Sequence, residues 1–178
     1  NSKDPVVKRA YEQLAKEVVA QYNYMTKVLG IDVVFTENDP YENSEAMMAD
    51  VYDNNRLVVF KGGEPHPFLD KKDADGISIN EKFRAVHDYF GHAIEGNQFG
   101  AIGEERAWIA HSKMFSPLAR RAMTTETRGQ NSWVNNSDVN KKALELFKEG
   151  NQLIQNGEVA NGKKIIEEAK KQFVFAEQ

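Results

Sequence analysis

Two short stretches, IDVVFTE (31–37) and RLVVFKGG (56–63), have the β-branched content of strands. Most of the remaining chain carries the spacing of amphipathic helices. So few strands exclude a doubly wound parallel sheet. The expected fold is α+β and predominantly helical. A small sheet packs against a long N-terminal helix and a histidine-bearing helix, and a helical hairpin closes the chain.

The helices are marked by their ends. Asp4 suits an N-cap, Pro5 the first helical position, and Gly30 the stop. Between them Val7, Tyr11, Leu14, Val18, Tyr22, Met25 and Leu29 recur on one face. SEAMMADVYD (44–53) predicts a short helix. Ser78 with Glu81 is a capping box that opens a helix over 79–95. A further helix covers 101–115, and Ser116-Pro117 opens another that stops near Gly129. From Ser137 two amphipathic helices meet at Asn156-Gly157. Val139, Ala143, Phe147 and Ile154 on the first answer Ile165, Ile166, Ala169 and Phe173 on the second. The expected division is therefore a domain over 1–136 and a hairpin over 137–178, packed on it.

Composition removes several function classes. The net charge of −4 gives no general reason to bind nucleic acid. The chain has no cysteine, hence no disulfide, thiolate zinc site or cysteine nucleophile. No apolar run is long enough for a membrane span, and no signal peptide is visible. HExxH, GxSxG, the P-loop and GxGxxG are all missing. DKKDADG has Asp73, Asp75 and Gly76 at the spacing of a calcium loop. The twelfth position is Lys82 rather than an acid, so a solvated turn is expected.

Chemistry concentrates in VHDYFGHAIEGNQFG (86–100). The chain has four histidines, and three of them, His87, His92 and His111, lie close together in sequence. On a regular helix of about 100° per residue, Ile79, Phe83, Val86, Phe90 and Ile94 form the core stripe. His87 sits at its edge, and His92 lies about 140° further round. The two imidazoles meet at one ion only if the helix yields near Gly91, a poor helix former. Asp88 is four residues before His92 and can hold its N–H or act as a ligand. On the next helix Glu104, Trp108, His111 and Phe115 share a face. Glu126 stands in a run of hydrogen-bonding side chains, as a ligand or as a partner of Arg120 or Arg128. His66, in EPHPF, reads as structural. For each histidine the competing reading is a hydrogen-bonded core residue.

The string His87-Asp88-Tyr89-Phe90-Gly91-His92 resembles the HDxFGH motif of the aromatic amino acid hydroxylases. There both histidines bind one ferrous ion, with a glutamate on a following segment as third ligand. The resemblance implies a 2-His-1-carboxylate triad of His87, His92 and Glu126, with open positions for oxygen and substrate. The wider pattern from Phe83 to Asn135 is similar to uncharacterised proteins of tailed phages.

The expected function is thus a small metal-dependent enzyme, an iron oxidoreductase of facial-triad type. His87, His92 and Glu126 bind the metal, with Fe(II) favoured over Zn(II). Asp88 orients a ligand, and Glu104 with His111 acts in proton transfer. One alternative is a zinc hydrolase with His87, His92 and His111 as ligands and Glu104 as base. The other is a non-catalytic structural or interaction protein, such as a phage virion component. The partner is a small-molecule substrate or an unknown protein, and the location is cytoplasmic or phage-encoded.

Overall fold

The computed structural model describes residues 3–62 and 65–174. The described residues form two compact units, divided between Arg128 and Gly129. The fold is α+β and mostly helical.

In the first unit, α1 (Pro5–Asn23) starts as its sequence requires. Asp4 accepts a hydrogen bond from the Val6 N–H, and Pro5 sits in the first turn. Tyr11, Leu14, Val18 and Tyr22 are buried along one face. The helix then widens into a π-helical turn, Tyr24–Val28, before Gly30 (φ 73°) ends it. That wider turn carries Leu29 off the buried stripe, and Leu29 is exposed rather than core.

Strands β1 (Asp32–Thr36) and β2 (Arg56–Phe60) flank α2 (Ser44–Asn54). They pair in parallel, from Asp32 opposite Arg56 to Thr36 opposite Phe60. Two parallel strands need a crossover, and α2 is that crossover. Tyr41 pins the unit together. Its hydroxyl accepts from the Val58 N–H at 2.8 Å and donates to Asp50 at 2.8 Å. Leu57 and Val59 of β2 enter the same core as Met47, Val51 and the buried face of α1.

α3 (Ile79–His87) opens on the Ser78–Glu81 capping box. Its Phe83 and Val86 complete that core. Lys82 on this helix is 1% exposed. Its ammonium lies 3.0 Å from Asp73 and 2.7 Å from Asp75, and 5.2 Å over the Tyr22 ring. The lysine that spoils the calcium-loop pattern thus places its own cation between the two aspartates.

α4 (Ala101–Ser112) and α5 (Pro117–Thr124) follow. A Cβ on Gly103 would lie 1.6 Å from the Gln98 carbonyl oxygen, so the loop before α4 rests directly on the helix backbone. The stop expected near Gly129 does not occur. Thr125–Gly129 forms another π-helical turn, Gly129 is itself helical (φ −62°, ψ −49°), and α6 (Gln130–Asn136) continues from it.

In the second unit, α6 is followed by α7 (Lys141–Gln155) and α8 (Val159–Gln172), joined at Gly157 (φ 91°). Ala143 and Ala169 are buried between the helices, and the Phe147 and Phe173 rings lie 6.3 Å apart. A Cβ on Gly150 would stand 2.8 Å from the Gly162 carbonyl, and one on Gly162 2.5 Å from the Gly150 carbonyl. The backbones touch there. Val139, expected on the inner face, is exposed in a short 3₁₀ turn. Asn140 exchanges two hydrogen bonds with the Val174 backbone, and Trp133 donates to the Val174 carbonyl. These bonds hold α6 within the second unit, which begins at Gly129. Among the described residues, no helix is long and apolar enough to cross a membrane.

Candidate metal centre

The helix does yield at Gly91. α3 passes at Asp88 into a π-helical turn, Asp88–Ala93, in which the Ile94 N–H reaches back five residues to the Tyr89 carbonyl. Such a turn holds one more residue than an α-helical one. Residues five apart then come onto the same side, which a regular helix denies them. The His87 and His92 rings stand 5.1 Å apart, nearly perpendicular. Gly91 also admits the neighbouring helix. A Cβ there would meet Ala107 at 3.2 Å and the His87 ring at 3.3 Å.

α4 brings the third donor, Glu104. Its two oxygens lie 3.4 Å from His87 Nε2 and 3.4 Å from His92 Nε2. One ligand atom from each of His87, His92 and Glu104 falls within 4.8 Å of the others. Donors around one ion with bonds of about 2.1 Å stand about 3.0–3.4 Å apart, so a spread of up to 4.8 Å would close on an ion by small side-chain movements. Burial raises the Glu104 carboxyl, but hydrogen bonds and charge from the two histidines outweigh it, and the group settles at about 2. Burial lowers the His92 imidazole, while Glu104, Asp88 and the Asn97 carbonyl raise it further, so its net shift is upward.

Both histidines are held from behind. His92 Nδ1 lies 3.1 Å from the Asn97 carbonyl, which can only accept. The Nδ1 therefore carries a proton in either state, and Nε2, which hydrogen-bonds Glu104 in the charged ring, is the nitrogen freed when the ring is neutral. For His87 the same outcome comes through a chain. The Gln21 amide donates to the Met114 carbonyl at 3.3 Å and presents its oxygen to His111 Nε2 at 2.7 Å. His111 Nε2 must then carry the proton. Its Nδ1 accepts from His87 Nδ1 at 3.4 Å, so in the neutral ring Nε2, beside Glu104, is the His87 nitrogen without a proton. His111 is fully buried, and burial reinforced by the charge of His87 and His92 pushes its pKa well down, so it stays neutral.

Three assignments made from sequence change. Glu126 is not beside His87 and His92. Its carboxylate accepts from the Tyr11 hydroxyl and lies 3.2 Å from His66 Nε2, off the line of that N–H. His66 Nδ1 accepts from the Phe68 and Leu69 N–H groups, so Nε2 carries its proton. Glu126 thus clamps α1 to the 66–69 turn. Arg120 and Arg128 are engaged elsewhere, on the Ser112 and Phe115 carbonyls and on Glu105. Asp88 does not hold His92, because the Asn97 carbonyl takes that N–H instead. Burial raises the Asp88 carboxyl to about 6, against the pull of His87 and His92. His111 faces Gln21 and the back of His87, so it is neither a third ligand nor placed for proton transfer at Nε2.

Gln21, Asn97 and Phe99 went unread in the sequence. Phe99 packs edge-on against His92 at 5.3 Å. For Asn97 a signal existed: Gly96 (φ 67°) is the turn that brings it back, and its amide also donates to the Gly91 carbonyl at 2.8 Å. Gln21 had one as well, a polar residue at 9% exposure on the buried face of an amphipathic helix. No family model, curated protein or solved structure matches the chain.

Proposed function

We propose that the protein is a small metal-dependent enzyme whose single divalent ion, Fe(II) in preference to Zn(II), is held by His87, His92 and Glu104. One observation carries this reading. Both Nδ1 atoms face acceptors, so the two Nε2 atoms, the ones free to coordinate in the neutral rings, converge with a carboxylate. Two imidazoles and one carboxylate on one side of an ion leave adjacent positions open, the arrangement of oxygen-using iron centres. The resemblance of His87–His92 to the hydroxylase motif favours iron. The third ligand then departs from that family, since Glu104 stands in for the later glutamate. Bound iron supplies the means to bind dioxygen beside a small-molecule substrate. The chain itself fixes the donors, and Phe99 shields His92. A zinc hydrolase using His111 as ligand is disfavoured, because both nitrogens of that ring are engaged.

The test is anaerobic titration of purified protein with Fe(II), and with Co(II) as a spectroscopic stand-in. One equivalent is expected to bind and to raise the thermal midpoint. His87→Ala, His92→Ala and Glu104→Ala each abolish it, whereas Glu126→Gln does not. No binding of either metal, or binding that survives all three alanine variants, overturns the proposal.

A further inference from the structure

A cleft of about 220 Å³ adjoins the centre. Asp88 of the π turn lines it, and so does Phe99, whose ring touches His92. Arg84, Asp39, Phe60 and Tyr41 form the rest of the polar and aromatic wall. Arg84 precedes His87 and Asp88 by three and four residues on the same helix, so it lies one turn away on their face.

Arg84 is a half-buried cation held by one corner. Its Nη1 donates to the Phe60 carbonyl at 3.2 Å and to the Gly62 carbonyl, and the guanidinium lies 5.7 Å over the Phe60 ring. No carboxylate among the described residues comes within ion-pair distance, though Asp88, Glu81 and Asp70 act on it through space. Nε and the second amino nitrogen make no hydrogen bond among the described residues. Those two donors are the parallel fork that matches a carboxylate. The wall holds one arginine beside Asp88 and Asp39, so it accommodates a monoanion better than a dianion such as phosphate.

We infer that the cleft binds a small singly charged organic carboxylate, an oxo or hydroxy acid, with its carboxylate on the Arg84 fork and its other end toward His87, His92 and Glu104. The second half of this statement rests on the metal reading; the first half does not.

The test follows the Arg84 Nε–H resonance by NMR, in metal-free and Co(II)-loaded protein, during titration with pyruvate and with its neutral amide, pyruvamide. Pyruvate is expected to shift the signal saturably and pyruvamide to bind at least about tenfold more weakly, the usual loss when a charge-assisted hydrogen bond is removed. In the Co(II) protein pyruvate also perturbs the visible spectrum, and Arg84→Gln requires at least about tenfold more pyruvate to do so. Equal responses to the acid and the amide, or no response of Arg84 to pyruvate at all, overturn the inference. The amide comparison needs no variant, so it stands even where Arg84→Gln fails to fold. Arg84 responding in a protein that takes no metal defeats the metal reading alone. Metal binding with a silent Arg84 defeats the carboxylate site alone.

Discussion

Replacing Gln21 with leucine tests whether the centre is organised from behind. Gln21 lies beyond His111 as seen from His87, yet it fixes the His111 proton and, through it, the His87 proton. Leucine fills nearly the same space and offers no acceptor. The fully buried His111 Nε2–H is then left without a partner, at a cost of about 1–3 kcal/mol of stability. His111 is also released to take the other tautomer. Its Nδ1–H would then face the Nδ1–H of His87 and push that proton to Nε2, the nitrogen the proposed metal needs. Outer partners of this kind typically contribute about 10–100-fold in metal affinity, or about 1.4–2.8 kcal/mol. Thermal unfolding of the metal-free protein and anaerobic Co(II) titration read the two effects separately. Gln21→Glu restores an acceptor and is expected to recover metal affinity. If Gln21→Leu lowers the unfolding midpoint but binds Co(II) as the wild type does, the chain is merely structural and the reasoning fails.

Glu104→Gln and Glu126→Gln should separate cleanly. The first loses metal binding with little change in fold, whereas the second keeps the metal and loses about 1–3 kcal/mol of stability in denaturant melts, because Tyr11 and His66 lose their charged partner. Metal affinity should fall as pH drops. The His92 pKa is raised above its ordinary 6.5, so its proton competes with the ion at pH values already above that figure, and calorimetry in buffers of different ionisation heat should detect proton release on binding. In the metal-free protein the signs are opposite for the two partners. The lowered Glu104 contributes stability above its ordinary 4.5 and loses it as pH falls toward about 2, while the raised His92 contributes below 6.5 and loses it as pH rises through its folded value. Glu104→Gln should flatten both limbs of the melting profile. Lys82→Met should cost only about 1 kcal/mol, because Asp73 and Asp75 are half exposed and rehydrate. Lys82→Glu should make the melting temperature rise with added calcium, and no response to calcium would show that the loop geometry is wrong for an ion.

Much of the fold was legible because its signals are local. Asp4-Pro5, Ser78 with Glu81 and Ser116-Pro117 each satisfy backbone donors within a few residues, and all three cap as expected. Gly129 misled because a glycine stops a helix only where it takes a left-handed conformation, and here it does not. The site was half legible. The spacing of His87 and His92 declared that a regular helix could not serve, and Gly91 marked where it gives way. The choice between Glu104 and Glu126 was not legible, since it depends on the packing of α4 against the π turn, a long-range contact with no trace in spacing. Gln21 and Asn97 act through hydrogen bonds to residues distant in space or on a loop, and a single polar residue does not announce its partner.

The π turn between Asp88 and Ala93 is one residue more than a regular helix would need over that stretch. Shortening it by one would put the two histidines four apart, where an ordinary helix also aligns them. The chain therefore had a simpler route to the same pair. The surplus residue must do something the shorter helix cannot. It advances everything after it by one position, and that shift sets Gly91 against Ala107 and leaves His92 within reach of the Asn97 carbonyl. A single-residue deletion there should yield a more regular helix that still pairs its histidines but meets α4 out of register. The alignment of three donors from two helices is kept by the length of the chain, in a place where no substitution can restore it.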